Sequence, residues 1–292
     1  MSAIAPEADP DAPTGPALLA VFAHPDDEEF GTAGALILCA DRGVHVQVVS
    51  ATRGDAGEIS DPALATRDNL GDVREEELRE ACRILGIADP MFFDYGDGQV
   101  AAADPDELVR RIVAAIRSVR PRVVVTFDAN GGYGHADHIA VHHATVAAFE
   151  RSSDPTFAPE LGLPHRPDKL YATAFPRSRF SVMSAEMERF GVPGIDFGDV
   201  RTIELDEVGT ADDRITTAVP VDAVWDRRWG ALRAHRTQFG ADSSFLRLPE
   251  QVVRGWMATD MFVRLVPPPP PGATLPDEDD LWAGLPLPST KE

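Results

Sequence analysis

The sequence predicts an α/β protein: a mostly parallel sheet flanked by helices. Three observations carry that prediction. A short apolar run, ALLAVF (17–22), is followed by a helical stretch with a glycine stop, TAGALILCADRG (32–43), and then by an alternating strand, VHVQVVS (44–50). A strand, helix, strand order of this kind calls for a crossover helix between parallel neighbours. The order recurs around RVVVTFD (122–128), the most strand-like segment of the chain, which has helical patterns on both sides. Finally, 292 residues of which 43% are hydrophobic can bury one substantial core. The sheet so described is Rossmann-like, and the less regular residues 151–266 read as a C-terminal α/β extension.

Residues 1–16, rich in Pro, Ala and Asp, read as a flexible leader. Residues 17–266 read as a single domain with a core of 17–150 and an extension of 151–266, and 267–292 as a Pro-rich acidic tail. After the first two strands a helix is predicted over about 72–85, because Leu78, Ala81, Cys82 and Leu85 recur at helical spacing and Gly86 closes it. MFF (91–93) is a short strand. Asp104, Pro105 and Glu107 supply an N-cap, a first-turn proline and a capping-box acid, Leu108, Ile112, Ile116 and Val119 form one stripe, and Pro121 ends the helix. HADHIAVHHATVAAFE (135–150) is helical again. The extension offers a strand at KLYATAF (169–175), a helix around 182–190 and strands near RTIEL (201–205) and ITTAVPV (215–221). A helix over about 221–237 buries Val221, Trp225, Trp229 and Leu232, and PPPPPG with the acidic stretch behind it reads as polyproline II or disorder.

Composition narrows the partners. Lys plus Arg number 27 against 48 Asp plus Glu, a net charge of −21, and such a field repels nucleic acid and anionic membranes. Part of that charge lies at the ends, in Glu7, Asp9 and Asp11 and in Asp277, Glu278, Asp279, Asp280 and Glu292 against Lys291, and is expected to be solvated. Cys39 and Cys82 sit in apolar helical patterns without CxxC spacing, which favours buried thiols in a reducing compartment. No apolar stretch approaches the roughly 20 residues that span a bilayer, and no basic n-region opens the chain, so a cytoplasmic protein is expected.

In an open α/β sheet, ligands bind outside the carboxyl ends of the strands, and both unusual polar clusters fall there. The first is HPDDE (24–28), after the first strand. His24 and Asp27, with a histidine from a second loop, would give the three-ligand N/O set of catalytic zinc. Asp26, not needed as a ligand, could take the proton of an activated water. The plainer reading of HPDDE is a turn with acids at a helix start, where they offset the helix dipole. Glu28 is placed there to brace a ligand from behind, and Glu29 to be solvated. The second cluster is DANGGYGHADH (128–138). It offers His135, Asp137 and His138, with His142 and His143 just beyond; His138 and His142 share a helical face and either could be a ligand. Gly131, Gly132 and Gly134 mark a loop that bends sharply or approaches a ligand. Tyr133 within it could polarise a substrate carbonyl or act as an aromatic lid.

AHPDDE followed about a hundred residues later by GGYGHADH strongly resembles the PIG-L/LmbE-like zinc-dependent N-deacetylases, which include N-acetylglucosaminyl-phosphatidylinositol deacetylase and amidases of mycothiol and bacillithiol metabolism. The likeness covers about 17–150, with a further patch at ALRAHRTQF (231–239). It implies that His24, Asp27 and His138 hold Zn2+, or Fe2+ in the cell, and that Asp26 is the general base. It further implies that His135 stabilises the oxyanion or protonates the leaving amine, that Asp137 orients and charges His135, and that Tyr133 polarises the carbonyl. Ala136 stands where the family usually has Pro.

Four more positions are candidates for substrate contact by the same resemblance. Arg74 would hold sugar or inositol hydroxyls, or else pair with an exposed Glu at i,i+4; Asp97 would bind a sugar, or else serve the Asp-Gly turn. Glu58, in the ATRGDAGEIS loop (51–60), would close over the pocket, and His235 would lie near the site. The implied reaction removes an N-acetyl group from a small amino sugar or glycoside. A thiol-conjugate amidase of the mycothiol pathway and a non-catalytic metal or sugar-binding module are the alternatives. A metal-dependent phosphoesterase is disfavoured because neither loop carries a cation to clamp phosphate. A homo-oligomer is compatible with all of these readings.

Overall fold

The computed structural model describes residues 15–192 and 208–287. Its centre is a seven-stranded sheet in the order β3-β2-β1-β4-β5-β7-β6. The strands are β1 (Ala17–Phe22), β2 (His45–Thr52), β3 (Met91–Tyr95), β4 (Val123–Thr126), β5 (Lys169–Ala174), β6 (Thr217–Pro220) and β7 (Thr259–Val266). The first five are parallel to one another, whereas β7 runs antiparallel to both β5 and β6. Leu18 of β1 is level with Val46 on one side and Val123 on the other. All six residues of β1 are 0% exposed, which is why ALLAVF is apolar throughout rather than alternating: helices cover both faces of a parallel sheet.

The helices are α1 (Ala33–Asp41), α2 (Leu70–Leu85), α3 (Pro105–Val119), the single turn α4 (Gly131–Gly134), α5 (Ala136–Arg151), α6 (Arg177–Arg189), α7 (Trp225–Leu232), the turn α8 (Ser244–Arg247) and α9 (Glu250–Met257). α1, α2 and α7 pack together, and α3 packs on α5. From β1 the chain crosses outward through α1 to β2, and from β4 in the opposite direction through α5 to β5. Right-handed crossovers in opposite directions put the helices on opposite faces. The order therefore reverses between β1 and β4, the switch point at which open α/β sheets bind ligands.

Local signals account for the helix ends: Asp104 accepts from the Asp106 N–H to open α3, and Gly86 adopts φ +73° to close α2. Two expectations change. The last long helix is α7, only Trp225–Leu232, with Asp222–Val224 as a 3-10 turn before it; Trp225 and Leu232 are buried, Trp229 only half so. The helix near 182–190 begins earlier, at Arg177. The expected strand at 201–205 lies outside the described residues. α9 and β7 were not anticipated, and the inward positions of β7, Asp260, Phe262 and Arg264, explain why: two of the three are charged.

The acidic tail also differs from expectation. Leu281 and Trp282 are buried in the main core, and Trp282 is 2% exposed. Glu278 accepts from Lys169 Nζ at 2.6 Å and Tyr171 Oη at 2.7 Å and pairs with Arg264; Arg264 also reaches Asp277 at 2.9 Å, and Asp280 pairs with Arg42. Lys169 and Arg264 are buried, and a buried cation needs a paired anion. Asp277, Glu278 and Asp280 are thus clasps rather than solvated charge. Among the described residues no helix is long and apolar enough to cross a membrane.

Candidate metal centre and active site

The loops after β1 and β4 meet at the switch point. After Phe22 the chain makes a turn in which Asp27 Oδ2 accepts from the N–H groups of Ala23 at 3.2 Å and His24 at 2.7 Å. Asp27 thereby folds back over the strand end and lies beside the His24 ring. From β4, Asp128 Oδ1 accepts from the Asn130 and Gly132 N–H groups at 3.1 and 2.8 Å, shaping the glycine loop. The Gly131 carbonyl faces His138 Nδ1 at 3.2 Å. That contact assigns the ring proton to Nδ1 and turns the Nε2 lone pair inward. Gly131 is required there: φ is +63°, and a Cβ would come within 2.9 Å of the His138 Cβ. Phe127 stacks on the His138 ring, centroids 4.0 Å apart.

Three donors converge. His24 Nδ1 is 3.1 Å from His138 Nε2 and 3.5 Å from Asp27 Oδ2, and His138 Nε2 is 3.3 Å from Asp27 Oδ1. Ligands bound at about 2.0–2.1 Å around a tetrahedral ion are separated by about 3.3–3.4 Å, so these edges fit one cation. Behind the triangle, His24 Nε2 faces Asp97 Oδ1 at 3.0 Å and Asp137 Oδ2 at 3.5 Å. Burial lowers the basicity of His24, but Asp137, Asp27 and Asp97 outweigh it and raise its pKa well above the ordinary value. The carboxylates that favour a proton on His24 equally favour a bound cation. Burial pushes His138 down to about 4, leaving it neutral and able to ligate. Burial alone would raise Asp27, yet His138 and His24 hold it well below the carboxylate range.

Besides His24 with His135 and His138, which shares two members of the triangle, two other groups of donors lie close together: His24 with Asp97 and Asp137, and Glu28 with Glu29 and His235. In the first, Asp97 accepts from the Ala56 N–H at 3.1 Å, and Asp137 from Gly98 at 2.8 Å and Ala101 at 3.0 Å. In the second, Glu28 is engaged by the Asp26 N–H and His235. His142 belongs to none of these donor groups, its Nδ1 lying 2.8 Å from the Phe127 carbonyl, and His143 is exposed.

Asp26 stands beside the triangle without joining it. Burial pushes its carboxyl up to about 6, against the pull of Arg74, whose Nη2 is 3.3 Å away. Its φ of +111° is unusual for a residue with a side chain. Tyr133 meets the His138 and His135 rings edge to face at 5.4 and 6.1 Å. Burial raises its hydroxyl pKa, so it remains a donor. His135 is the N-cap of α5, with Nδ1 accepting from the Asp137 N–H at 3.1 Å. Burial, helped by His24, lowers its pKa, so the neutral ring carries its proton on Nε2.

Several candidate residues have partners other than those expected. Helix geometry gives His135 the Asp137 amide and turns the Asp137 carboxylate to His24 and the 98–101 loop, from where its charge still raises the basicity of His135. Asp97 likewise serves His24 rather than standing free for a sugar. Arg74, 3% exposed, does not pair with an exposed Glu: it donates to Pro25 O at 2.6 Å and Gly54 O at 2.9 Å and faces Asp26, while its Nε has no hydrogen-bond partner among the described residues. His235 is 0% exposed and bonds Glu28 at 2.8 Å, so it cannot touch a substrate. Glu29 is buried rather than solvated, in the field of Glu28, Arg228 and Asp260. Glu58 is exposed at the rim, with its carbonyl held by Gln238. Sequence reasoning missed Asp128 as the anchor of the glycine loop. It also missed Gly54 and Gly57, whose added Cβ atoms would lie 2.3 Å from the Arg74 guanidinium; two glycines in RGDAGE were the available signal.

A doubly wound sheet with two histidines and an aspartate converging at its switch point defines a class, the α/β proteins that can hold a metal ion at their strand ends. Within that class, residues 19–149 match the family model described as PIG-L, GlcNAc-PI de-N-acetylase. A 1D-myo-inositol 2-acetamido-2-deoxy-alpha-D-glucopyranoside deacetylase of Thermobifida fusca is 36% identical over 287 residues, covering 91% of this chain and 98% of the relative. The chain belongs to the PIG-L family. Among solved structures, a conserved protein of Thermus thermophilus is 26% identical with a TM-score of 0.59, over 88% of this chain and 98% of that one. The N,N'-diacetylchitobiose deacetylase of Pyrococcus horikoshii shares the fold, with a TM-score of 0.62 at 19% identity over 87% and 88% of the two chains.

Proposed function

We propose that the protein is a zinc-dependent deacetylase that hydrolyses the N-acetyl group of a small amino-sugar glycoside, of the N-acetylglucosaminyl-inositol kind named for the Thermobifida fusca relative. One observation carries the reading: Asp26, a carboxyl raised to about 6, lies next to a complete donor triangle without belonging to it. A site that only bound metal would have no use for it. The imidazole and carboxylate donors suit Zn2+, with Fe2+ as the alternative in the cell.

A bound Zn2+ would supply Lewis acidity and lower the pKa of a water. Asp26 takes the proton of the attacking water, since a carboxyl with a pKa near 6 is matched to that task at neutral pH. The Tyr133 hydroxyl and the His135 Nε2–H donate to the amide oxygen as it gains charge. Asp26 then returns its proton to the departing amine, and acetate and free amine leave. Arg74 keeps the base in place, and Asp97 and Asp137 keep His24 turned inward. The acidic surface favours a neutral or cationic substrate, and a cytoplasmic location is part of this proposal.

The test is acetate release from N-acetylglucosaminyl-inositol by protein stripped of metal and then reloaded. Activity should vanish on chelation and return in proportion to bound zinc. Metal-free protein that still releases acetate at the full rate would refute the proposal.

A further inference from the structure

The strained conformation of Asp26 needs something to hold it, and the structure supplies a device that the reaction itself does not use. Glu28 Oε2 accepts from the Asp26 N–H at 3.0 Å, and Glu28 Oε1 lies 2.8 Å from His235 Nε2. Glu28 and His235 are both 0% exposed. His235 comes from beyond α7, outside residues 19–149 that match the family model. Its own segment is pinned: Thr237 donates to the Glu77 carboxylate of α2 through N–H at 2.9 Å and Oγ1 at 2.6 Å. The Phe239 N–H closes a turn onto the His235 carbonyl at 2.8 Å. Seven residues before His235, Arg228 of α7 donates to the Glu29 carbonyl at 3.2 Å. The extension therefore grips the base-bearing turn from below at two successive residues.

We propose that His235 is a positioning residue: acting through Glu28, it locks the backbone of Asp26 at its left-handed φ and keeps the base aimed at the attacking water. The claim rests on the reading of Asp26 as the base. Without His235, Glu28 is left buried with an unpaired carboxylate oxygen, a loss the turn relieves by rotating. Asp26 then relaxes towards an ordinary φ and its carboxyl moves off line. The donor triangle hangs on β1, Asp27 and α5, so metal binding stays intact.

The experiment compares His235→Leu and His235→Gln, in the native chain and in an Asp26→Ala background, reading bound zinc, KM and kcat for acetate release. His235→Leu should lower kcat about 10- to 100-fold, the usual effect of losing an outer partner, with zinc content and KM unchanged. His235→Gln, whose amide can donate to Glu28, should recover most of the rate. In the Asp26→Ala background His235→Leu should cost nothing further. A normal kcat in His235→Leu, or an equal loss in the Asp26→Ala background, overturns the positioning role. Full activity of Asp26→Ala alone overturns the base assignment instead. Should His235→Leu fail to fold, Glu28→Gln serves: an unchanged kcat there overturns the proposal, and a loss not deepened by adding His235→Gln supports it.

Discussion

At the scale of the residue, Asp26 and Asp27 show how neighbouring carboxylates acquire opposite properties. Asp27 accepts two backbone N–H groups and faces two imidazoles, so it stays ionised; Asp26 is buried against a single guanidinium and titrates near 6. Exchanging Asp26 for Asn should therefore leave zinc content unchanged and lower kcat by about 10²- to 10⁴-fold, the usual contribution of a general base, as read from acetate release by metal-loaded protein. Asp97→Ala acts on the other side of the site. Removing the carboxylate 3.0 Å from His24 Nε2 should weaken zinc binding by about 10- to 100-fold, measured by competition with a chelating dye, and an unaltered affinity would show that Asp97 does not orient the ligand. The residues that converge at the strand ends, His24, Asp27 and His138 with Asp26 beside them, were legible in HPDDE and GHADH because one short loop supplies each group. The partnerships of Asp137, Arg74 and His235 were not, since each depends on which way a side chain turns across contacts of 20 to 207 residues.

At the scale of the element, the loop after β2 is shaped by what it encloses. Gly54 has φ +66° and no room for a Cβ beside the Arg74 guanidinium. Gly54→Ala should cost about 1–3 kcal/mol of stability from backbone strain and displacement of Arg74, read from urea denaturation, and should lower kcat as Asp26 loses its partner. A variant as stable and as active as the parent would show that the guanidinium has room to move. The strands and helices up to residue 150 were readable because parallel strands buried on both faces are continuous apolar runs and their helices carry caps. β7 escaped because Asp260 and Arg264 occupy inward positions: Asp260 is ion-paired with Arg228 and accepts from the Ala35 N–H, and Arg264 is ion-paired with Asp277 and Glu278. A charge paired this way is invisible to a hydrophobic pattern.

At the scale of the molecule, the site at the β1/β4 switch point is assembled from both halves of the chain. The loops of the core supply the donors, and the segment after α7 bonds Glu28 of the turn beside them. The C-terminal stretch closes the opposite account of the core, with Trp282 buried and Glu278 clasped by Lys169, Tyr171 and Arg264. Trp282→Ala should cost about 3–5 kcal/mol, seen as a lower midpoint in urea, and a negligible change would mean the stretch is not docked in solution. The account stands most directly on where the metal sits. Crystals of zinc-loaded protein, measured at the zinc absorption edge, should show an anomalous peak about 2.0–2.2 Å from His24 Nδ1, His138 Nε2 and an Asp27 oxygen, with Asp26 outside bonding distance. A peak between His24 Nε2, Asp97 and Asp137, or one bonded to Asp26, would contradict it.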